Sequence, residues 1–278
     1  MTPVPFSKMS ALGNDFIIVD NRDGILDQYG VEAYAGRVCK ARYSVGGDQL
    51  MVIERARAGG DYFMRTINPD GTEVKMCGNA SRCVARYAFT HGIAGALQSI
   101  ETLGGLVEAT IEDGTVSVGL QVTGGPELDI ALEVDGRHVA AHSIEISGAP
   151  HAVVYLEGVR EMPGEAIHRL GASIRNHGRF PHGTNVDFIE VTGPGSLDQR
   201  TYERGIEGET FACGTGATAA AIVSCMLGRT RSPTAIRVIG GDLGVSFVSE
   251  GGRFERVRLS GSARFVAEGM IHPEALEY

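Results

Sequence analysis

The chain has 278 residues and a mass of 29.4 kDa, which suggests two domains at roughly 150 residues each and excludes a small disulfide-stapled scaffold. Its 25 Lys and Arg against 34 Asp and Glu give a net charge of −9 without a basic run, so nucleic acid is not expected as a partner. No apolar stretch reaches the roughly 18 residues of a membrane span, and the N-terminus lacks a signal-peptide pattern, so we expect a cytoplasmic protein without a membrane partner.

The first half of the chain is predicted to contain short strands and one helix. The predicted strands are 50–54, 62–67 and 106–112, which are separated by Gly, Pro and Asp. The helix is predicted to start after Cys77 and to end at Gly92, a residue type that favours the position after a helix.

The second half repeats this order. Strands are predicted at 186–191 and 245–248, and a helix is predicted to start after Cys213 and to run to Leu227 before Gly228. Because this helix is apolar on nearly every side, we expect it to be buried all round.

An offset of 136 residues, the difference between positions 213 and 77, aligns the two halves without a gap. The matches include Cys77-Gly78 with Cys213-Gly214, Gly47 with Gly183, Ile53-Glu54 with Ile189-Glu190, and Gly92 with Gly228. The sequence therefore predicts an α/β fold of two pseudo-symmetric domains, each a curved mixed β-sheet wrapped around a central helix, with the active site in the cleft between them. The predicted domains are 1–130 and 131–278, with the option that the last strand packs back on the first domain.

Two of the five cysteines occupy equivalent helix starts. Cys77 and Cys213 each precede a helix and a Gly, whereas Cys39, Cys83 and Cys225 have no counterpart in the other half. A helix N-terminus favours anions and lowers a thiol pKa from about 8.5 toward neutrality. Each of the two thiols is thus a candidate base, and the same helix start can hold a substrate carboxylate. Two bases on opposite sides of one carbon could remove a proton from one face and return it to the other.

Other functional interpretations are weaker. The odd cysteine count and the absence of C-x-x-C spacing argue against a disulfide framework and a structural zinc site. No metal site is expected among the dispersed histidines, since Pro150 and Ala152 beside His151 offer no second ligand. The loop Gly214–Thr218 lacks the Lys of a phosphate-binding loop and the spacing of a dinucleotide fingerprint.

Several motifs together resemble the diaminopimelate epimerase family along essentially the whole chain. They are Lys8–Phe16, Asn68–Glu73, Met76–Cys83, Gly183–Val186, Tyr202–Gly205 and Ala212–Ala217. The resemblance implies an enzyme without a cofactor that converts LL-diaminopimelate into the meso form for lysine and peptidoglycan precursor synthesis. A small-molecule substrate follows from it, and a homodimer is a further option.

The resemblance also implies roles for individual residues. Cys77 and Cys213 match the two bases, and Glu203 and His151 match the pair that assists the thiols. Matches to substrate-binding positions are Asn14, Gln49, Asn68, Asn185, Glu203, Arg204 and the backbone amides of Gly78, Asn79, Gly214 and Thr215. The sequence departs from the family pattern at Ala80-Ser81 and at Ala149, where some members place a substrate-binding Asn.

Two alternatives stay open at this point. The first is another cofactor-free amino-acid racemase of the same fold, for which Arg204 would have no distal carboxylate to bind. The second is a non-catalytic small-molecule binding protein, which would not need two cysteines at equivalent helix starts.

Overall fold

The computed structural model of the protein describes residues 1–277. In chain order the strands are β1 (Val4–Ala11), β2 (Asn14–Asp20), β3 (Gln49–Glu54), β4 (Tyr62–Ile67), β5 (Glu73–Val74), β6 (Leu97–Thr102), β7 (Gly105–Glu112), β8 (Thr115–Gly119), β9 (Val122–Val134), β10 (Arg137–Ile146), β11 (Ala149–Tyr155), β12 (Asn185–Gly193), β13 (Ser196–Glu203), β14 (Gly208–Thr210), β15 (Thr234–Val238), β16 (Gly241–Glu250), β17 (Arg253–Gly261) and β18 (Arg264–Ile271). The α-helices are α1 (Val31–Val38), α2 (Gly78–Thr90), α3 (Gly164–Arg175) and α4 (Gly214–Met226), and a 3₁₀ turn covers Pro273–Leu276. Within residues 1–277, none of the helices has the length and apolar character that a membrane crossing requires.

The chain divides into two compact units. Unit 1 comprises Met1–Val118 together with the chain from Gly261 onward, and unit 2 comprises Gly119–Ser260. The boundary predicted from the sequence, at residue 130, lies inside β9. A cut there would split the β9–β10 hairpin, in which Ile130 pairs with Ala141 and Val134 with Arg137. The terminal strand β18 belongs to unit 1.

The strands of unit 1 form a mixed sheet. β18, β1, β2, β3 and β4 are neighbours in that order, and β4 also pairs with β5 and with β6, which leads on to β7 and β8. The β2–β3 and β4–β6 pairings are parallel and the others are antiparallel.

Unit 2 has the same plan. β9, β10, β11, β12 and β13 are neighbours in that order, β13 also pairs with β14 and β15, and β15 pairs with β16. The β11–β12 and β13–β15 pairings are parallel, at the places equivalent to the two parallel pairings of unit 1. An offset of 136 residues carries the bounds of α2 onto those of α4, so the predicted repeat is confirmed.

A buried helix packs against the sheet of each unit. In unit 1, α2 contacts β1, β2, β3 and β7; in unit 2, α4 contacts β10, β11, β12, β13, β15 and β16. Almost every residue of α4 is buried, as its apolar sequence predicts. Gly92 and Gly228 follow these helices with φ of 67° in both cases, a left-handed conformation that suits glycine. Both predicted helices are therefore confirmed.

Each unit also contains a second helix that the sequence analysis did not predict. In α1, Val31, Tyr34, Ala35 and Val38 are buried at helical spacing and join a core with Leu50 and Val52 of β3. In α3, Ile167 and Ile174 are buried in the same way and join a core of unit 2 with Val186 and Phe188 of β12. These helices follow the offset of 136 as well, although their shortness and the surrounding turn residues obscured the pattern.

Candidate active site

Cys77 occupies the cap position at the start of α2. Its backbone is extended, with φ −135° and ψ 119°, and the residue is half-buried. The Ser81 N–H donates to the Cys77 carbonyl at 2.8 Å, which begins the helical hydrogen bonding. The N–H groups of Gly78 and Asn79 lie before this first bond, at the helix start, where the backbone favours anions.

Cys213 occupies the equivalent position at the start of α4. Its φ of −113° and ψ of 107° are also extended, and the Ala217 N–H donates to its carbonyl at 2.9 Å. Cys213 is only 6% exposed, and its Sγ lies 3.5 Å from the Thr215 hydroxyl oxygen. The two cysteines thus share backbone geometry but differ in burial.

Side-chain amides surround the first helix start. Asn79 Nδ2 donates to Asn14 Oδ1 at 2.7 Å, and Gln49 Nε2 donates to Asn68 Oδ1 at 2.8 Å. The strands cause this convergence, because Asn14 begins β2, Gln49 begins the parallel strand β3, and Asn68 follows the antiparallel strand β4. We call Cys77, Asn14, Gln49, Asn68 and Asn79 the Cys77 cluster.

Two residues that the sequence analysis did not single out contact this cluster. Asp48 accepts a hydrogen bond from Asn14 Nδ2 at 3.2 Å. Arg82 Nη2 donates to Asn79 Oδ1 at 2.9 Å from a side chain that is 0% exposed. Arg82 belongs to the Met76–Cys83 motif, so its place in that motif was the available signal.

Acid–base groups surround the second helix start. His151 Nδ1 lies 2.7 Å from Asp187 Oδ2, and both residues are 0% exposed. Asn185 Nδ2 lies 3.5 Å from the other ring nitrogen of His151. Ligand-type atoms of His151, Asp187 and Cys213 all lie within 4.8 Å of one another. We call Cys213, His151, Asp187, Asn185 and Glu203 the Cys213 cluster.

Asp187 is a buried acid of this cluster that was not predicted from the sequence. Its Oδ1 accepts hydrogen bonds from Thr201 Oγ1 at 2.7 Å and Gln199 Nε2 at 3.1 Å, while Oδ2 faces His151. The alternation of a β-strand places Asp187 on the same face as Asn185. That period-two spacing within the predicted strand 186–191 was the signal that could have found it.

Glu203 and Arg204 lie at the end of β13. The Arg204 N–H donates to Asn185 Oδ1 at 2.8 Å, and Arg204 Nη1 donates to the His182 carbonyl at 3.1 Å. Among residues 1–277, Arg204 forms no ion pair with a carboxylate. Its guanidinium thus retains donors for an added carboxylate.

The expected lowering of both thiol pKa values is wrong for Cys213. Burial raises the pKa of the Cys213 thiol well above its usual range, and the Glu203 and Asp187 carboxylates raise it further. Hydrogen bonds from Thr215 and the Gly216 amide act in the opposite direction but are smaller. Burial also raises the pKa of Glu203. Cys213 is therefore a thiol at neutral pH in this structure.

Gly216 allows α4 to approach this cluster. A Cβ at Gly216 would lie 2.2 Å from Asp187 Oδ1 and 3.0 Å from Gln199 Nε2. Any larger residue would displace the carboxylate or the helix. Close packing thus fixes Asp187 beside the start of α4.

The trio of His151, Asp187 and Cys213 also has the residue types of a metal site, which the sequence neighbours of His151 do not indicate. Both oxygens of Asp187 are nevertheless hydrogen-bonded to protein groups, Oδ1 to Thr201 and Gln199 and Oδ2 to His151. The arrangement is accounted for as an acid–base network.

Comparison with known proteins identifies the family. The family model described as diaminopimelate epimerase matches residues 6–127 and 144–266. The chain is 38% identical to a diaminopimelate epimerase of Aquifex aeolicus over 284 aligned positions, which cover 98% of this chain and 99% of the relative. It is 36% identical to one of Methanocella arvoryzae, with 98% of both chains covered.

Solved structures show the same fold at lower identity. A phenazine biosynthesis protein of the PhzF family from Bacillus anthracis matches with a TM-score of 0.73 at 13% identity, covering 98% of this chain and 100% of that one. A hydroxyproline epimerase from Agrobacterium vitis matches with a TM-score of 0.69 at 18% identity, covering 98% and 93%. The chain belongs to the diaminopimelate epimerase family and is an isomerase of the amino-acid epimerase class.

Proposed function

We propose that this enzyme converts LL-diaminopimelate into meso-diaminopimelate without a cofactor, using Cys77 and Cys213 as its two bases, within lysine and peptidoglycan precursor synthesis. The observation that carries the proposal is the equivalent placement of the two cysteines. Each caps the buried helix of one repeat with the same extended backbone.

In the proposed reaction, one cysteine removes the α-proton as a thiolate and the other delivers a proton from its thiol to the opposite face. Deprotonation of an amino-acid α-carbon is strongly uphill, so charge that moves onto the α-carboxylate must be met by fixed donors. The amides of Gly78, Asn79, Gly214 and Thr215 are suited to this task because they lie at helix starts.

The Cys213 cluster supports a role in proton transfer. In the proposed tautomer, His151 Nδ1–H donates a hydrogen bond to Asp187 Oδ2, so the other ring nitrogen, Nε2, keeps its lone pair. His151 can then accept a proton from the Cys213 thiol, while Asp187 fixes the ring and stabilises its charged form. The half-buried Glu203 carboxylate lies close enough to interact with His151 and Cys213 and is suited to bind the substrate ammonium.

Substrate recognition is assigned to amides and one guanidinium. Asn14, Gln49, Asn68 and Asn185 supply donors and acceptors that are already held by hydrogen bonds. Arg204 binds the distal carboxylate, consistent with its lack of an ion pair among residues 1–277. This carboxylate distinguishes diaminopimelate from a simple basic amino acid.

The test is incubation with LL-diaminopimelate in D₂O. We expect meso product with deuterium at the inverted carbon, while substrate recovered early keeps its protium, because the incoming proton comes from the solvent-equilibrated opposite thiol. Cys77→Ala and Cys213→Ala should each lose epimerisation by at least about 10²-fold.

Cys225→Ala is the matched control, because Cys225 is a half-buried cysteine at the far end of α4, and it should keep full activity. Chelators should leave the rate unchanged. Substrate exchange without inversion, or full activity in either cysteine variant, would overturn the two-base proposal. Turnover of lysine or arginine enantiomers in place of diaminopimelate would favour the alternative racemase.

A further inference from the structure

Arg82 is a buried cation that the proposed reaction does not use. Its side chain is the largest of the fully buried ones, at 0% exposure, and it lies in the second turn of α2. Charged side chains are almost never fully buried unless they are paired. Arg82 therefore requires a physical explanation.

The hydrogen bonds of Arg82 do not compensate its charge. Nη2 donates to the neutral amide oxygen of Asn79, whereas Nε and Nη1 donate to no atom of residues 1–277. The described chain also offers it no carboxylate ion pair. Its place early in the helix is unfavourable too, because the positive end of the helix dipole repels a cation.

The Cys83 and Cys77 thiols act on this charge. The helix packs against β1, β2, β3, β6 and β7, and among the described residues of α2 and these strands these two thiols are the titratable groups that interact with Arg82. Burial raises the pKa of Cys83 to about 12, so Cys83 remains neutral at physiological pH. Cys77 is half-buried and is the one that can supply a negative charge.

The equivalent position in unit 2 has no cation. The offset of 136 places Thr218 opposite Arg82, and Thr218 is also 0% exposed, with its hydroxyl bonded to the Gly214 carbonyl at 3.0 Å. Conversely, the strand pairings place Phe16 and Met51 at the positions of His151 and Asp187, so unit 1 has no histidine–aspartate pair there. Each repeat thus has its own charged group near its cysteine: Arg82 in unit 1 and the His151–Asp187 pair in unit 2.

We propose that Arg82 is a positioning residue for Cys77: its guanidinium orients Asn79 and favours the thiolate form of the cysteine. This inference rests on the proposed function, since it assumes that Cys77 reacts as a base. Because Arg82 is fully buried, it acts through Cys77 and Asn79 and does not touch the substrate.

The test measures how alkylation of Cys77 by iodoacetamide depends on pH, with Cys77 followed by peptide mass analysis. Neutral variants Arg82→Gln and Arg82→Met should raise the half-reaction pH of Cys77 by about one unit and slow alkylation at pH 7 about tenfold. Arg82→Lys, which keeps the charge, should restore most of the acidity. If Arg82 only filled space, the half-reaction pH of Cys77 would be the same in these variants as in the wild type.

The control is Arg86→Met, which removes a cation one turn further along the same helix, where it bonds to the Ala263 carbonyl. It should leave the Cys77 profile unchanged. Equal profiles for wild type and folded neutral variants would overturn the proposal.

If the neutral variants fail to fold, the wild-type protein decides the question. Cys77 must react with a lower half-reaction pH in the native protein than after unfolding in guanidinium, and an equal or higher value would overturn the proposal. Full epimerase activity of Cys77→Ala would instead refute the proposed function, whatever the alkylation profile shows.

Discussion

The Cys77 and Cys213 clusters have the same backbone conformation at the cysteine but different electrostatic environments. The cysteine and the bounds of its helix correspond by an offset of 136 residues, and the flanking strands pair in the same order in both units. Around them, the Cys77 cluster contains neutral amides, whereas the Cys213 cluster contains His151, Asp187 and Glu203.

This difference shows what the repeat preserves. The strand pairings place Phe16, Met51 and Asn68 at the positions of His151, Asp187 and Glu203, so the acid–base groups of unit 2 have no equivalent in unit 1. Helix position and backbone geometry are properties of the fold and recur in both units. The protonation state of the thiol depends on side chains and is set separately in each.

The largest expected effect comes from the buried acid of the Cys213 cluster. Asp187→Asn removes the charge that stabilises protonated His151, and we expect kcat to fall about 10²-fold with a smaller change in KM. Steady-state kinetics measures this effect. Asp198→Asn, at a mostly buried acid on β13 that only approaches Arg160 at 4.0 Å, should retain near wild-type kcat. Equal losses in both variants would contradict a specific role for Asp187.

A second change tests the close packing of α4. Gly216→Ala would place a Cβ 2.2 Å from Asp187 Oδ1, so we expect a loss of about 1–3 kcal/mol in the free energy of unfolding and at least tenfold lower activity. Denaturant titration and kinetics measure the two effects. Gly178→Ala is the control, since a Cβ there meets no atom within 4 Å. A Gly216→Ala enzyme as stable and active as wild type would show that Asp187 can shift without consequence.

The two thiols should also react at different rates. At pH 7, limiting iodoacetamide should label Cys77 at least about tenfold faster than Cys213, because Cys213 is 6% exposed and its pKa is raised. Since the raised pKa means that the Cys213 thiolate appears only as pH increases, the difference should narrow in alkaline solution. Quantitative peptide mass analysis measures the ratio, and faster labelling of Cys213 would reverse the assigned asymmetry.

The smallest expected effect concerns the amides of the Cys77 cluster. Gln49→Leu removes the hydrogen bond to Asn68 Oδ1, and we expect KM to rise roughly five- to tenfold with little change in kcat. Gln28→Leu, at an exposed glutamine bonded to Thr2, is the control. A kcat loss as large as that of Asp187→Asn would contradict the distinction between binding and proton transfer.

The sequence predicts the parts of this molecule that local pattern determines. The two buried helices were predicted from the Gly that follows each of them and from the apolar residues of α4, and the matched cysteines followed from the repeat. The short helices α1 and α3 were missed because each forms little more than two or three turns between turn-rich segments.

The partners of buried polar groups were not predictable in the same way. Asp187 contacts His151 because β11 and β12 pair in parallel with a register that places His151 opposite Asn185. Arg82 looks like an ordinary helix residue until its burial is known. Such contacts depend on strand register and burial depth, which no single stretch of sequence contains.

The path of the chain determines when each unit can be completed during synthesis. Unit 2 is continuous, whereas in unit 1 the first strand, β1, lies between β2 and β18, with Val4 paired to Ile271. A growing chain therefore exposes one edge of β1 until residues 264–271 have left the ribosome, after the whole of unit 2. Because α2 packs against β1, the surroundings of Cys77 reach their final form last, although Cys77 is synthesised long before Cys213.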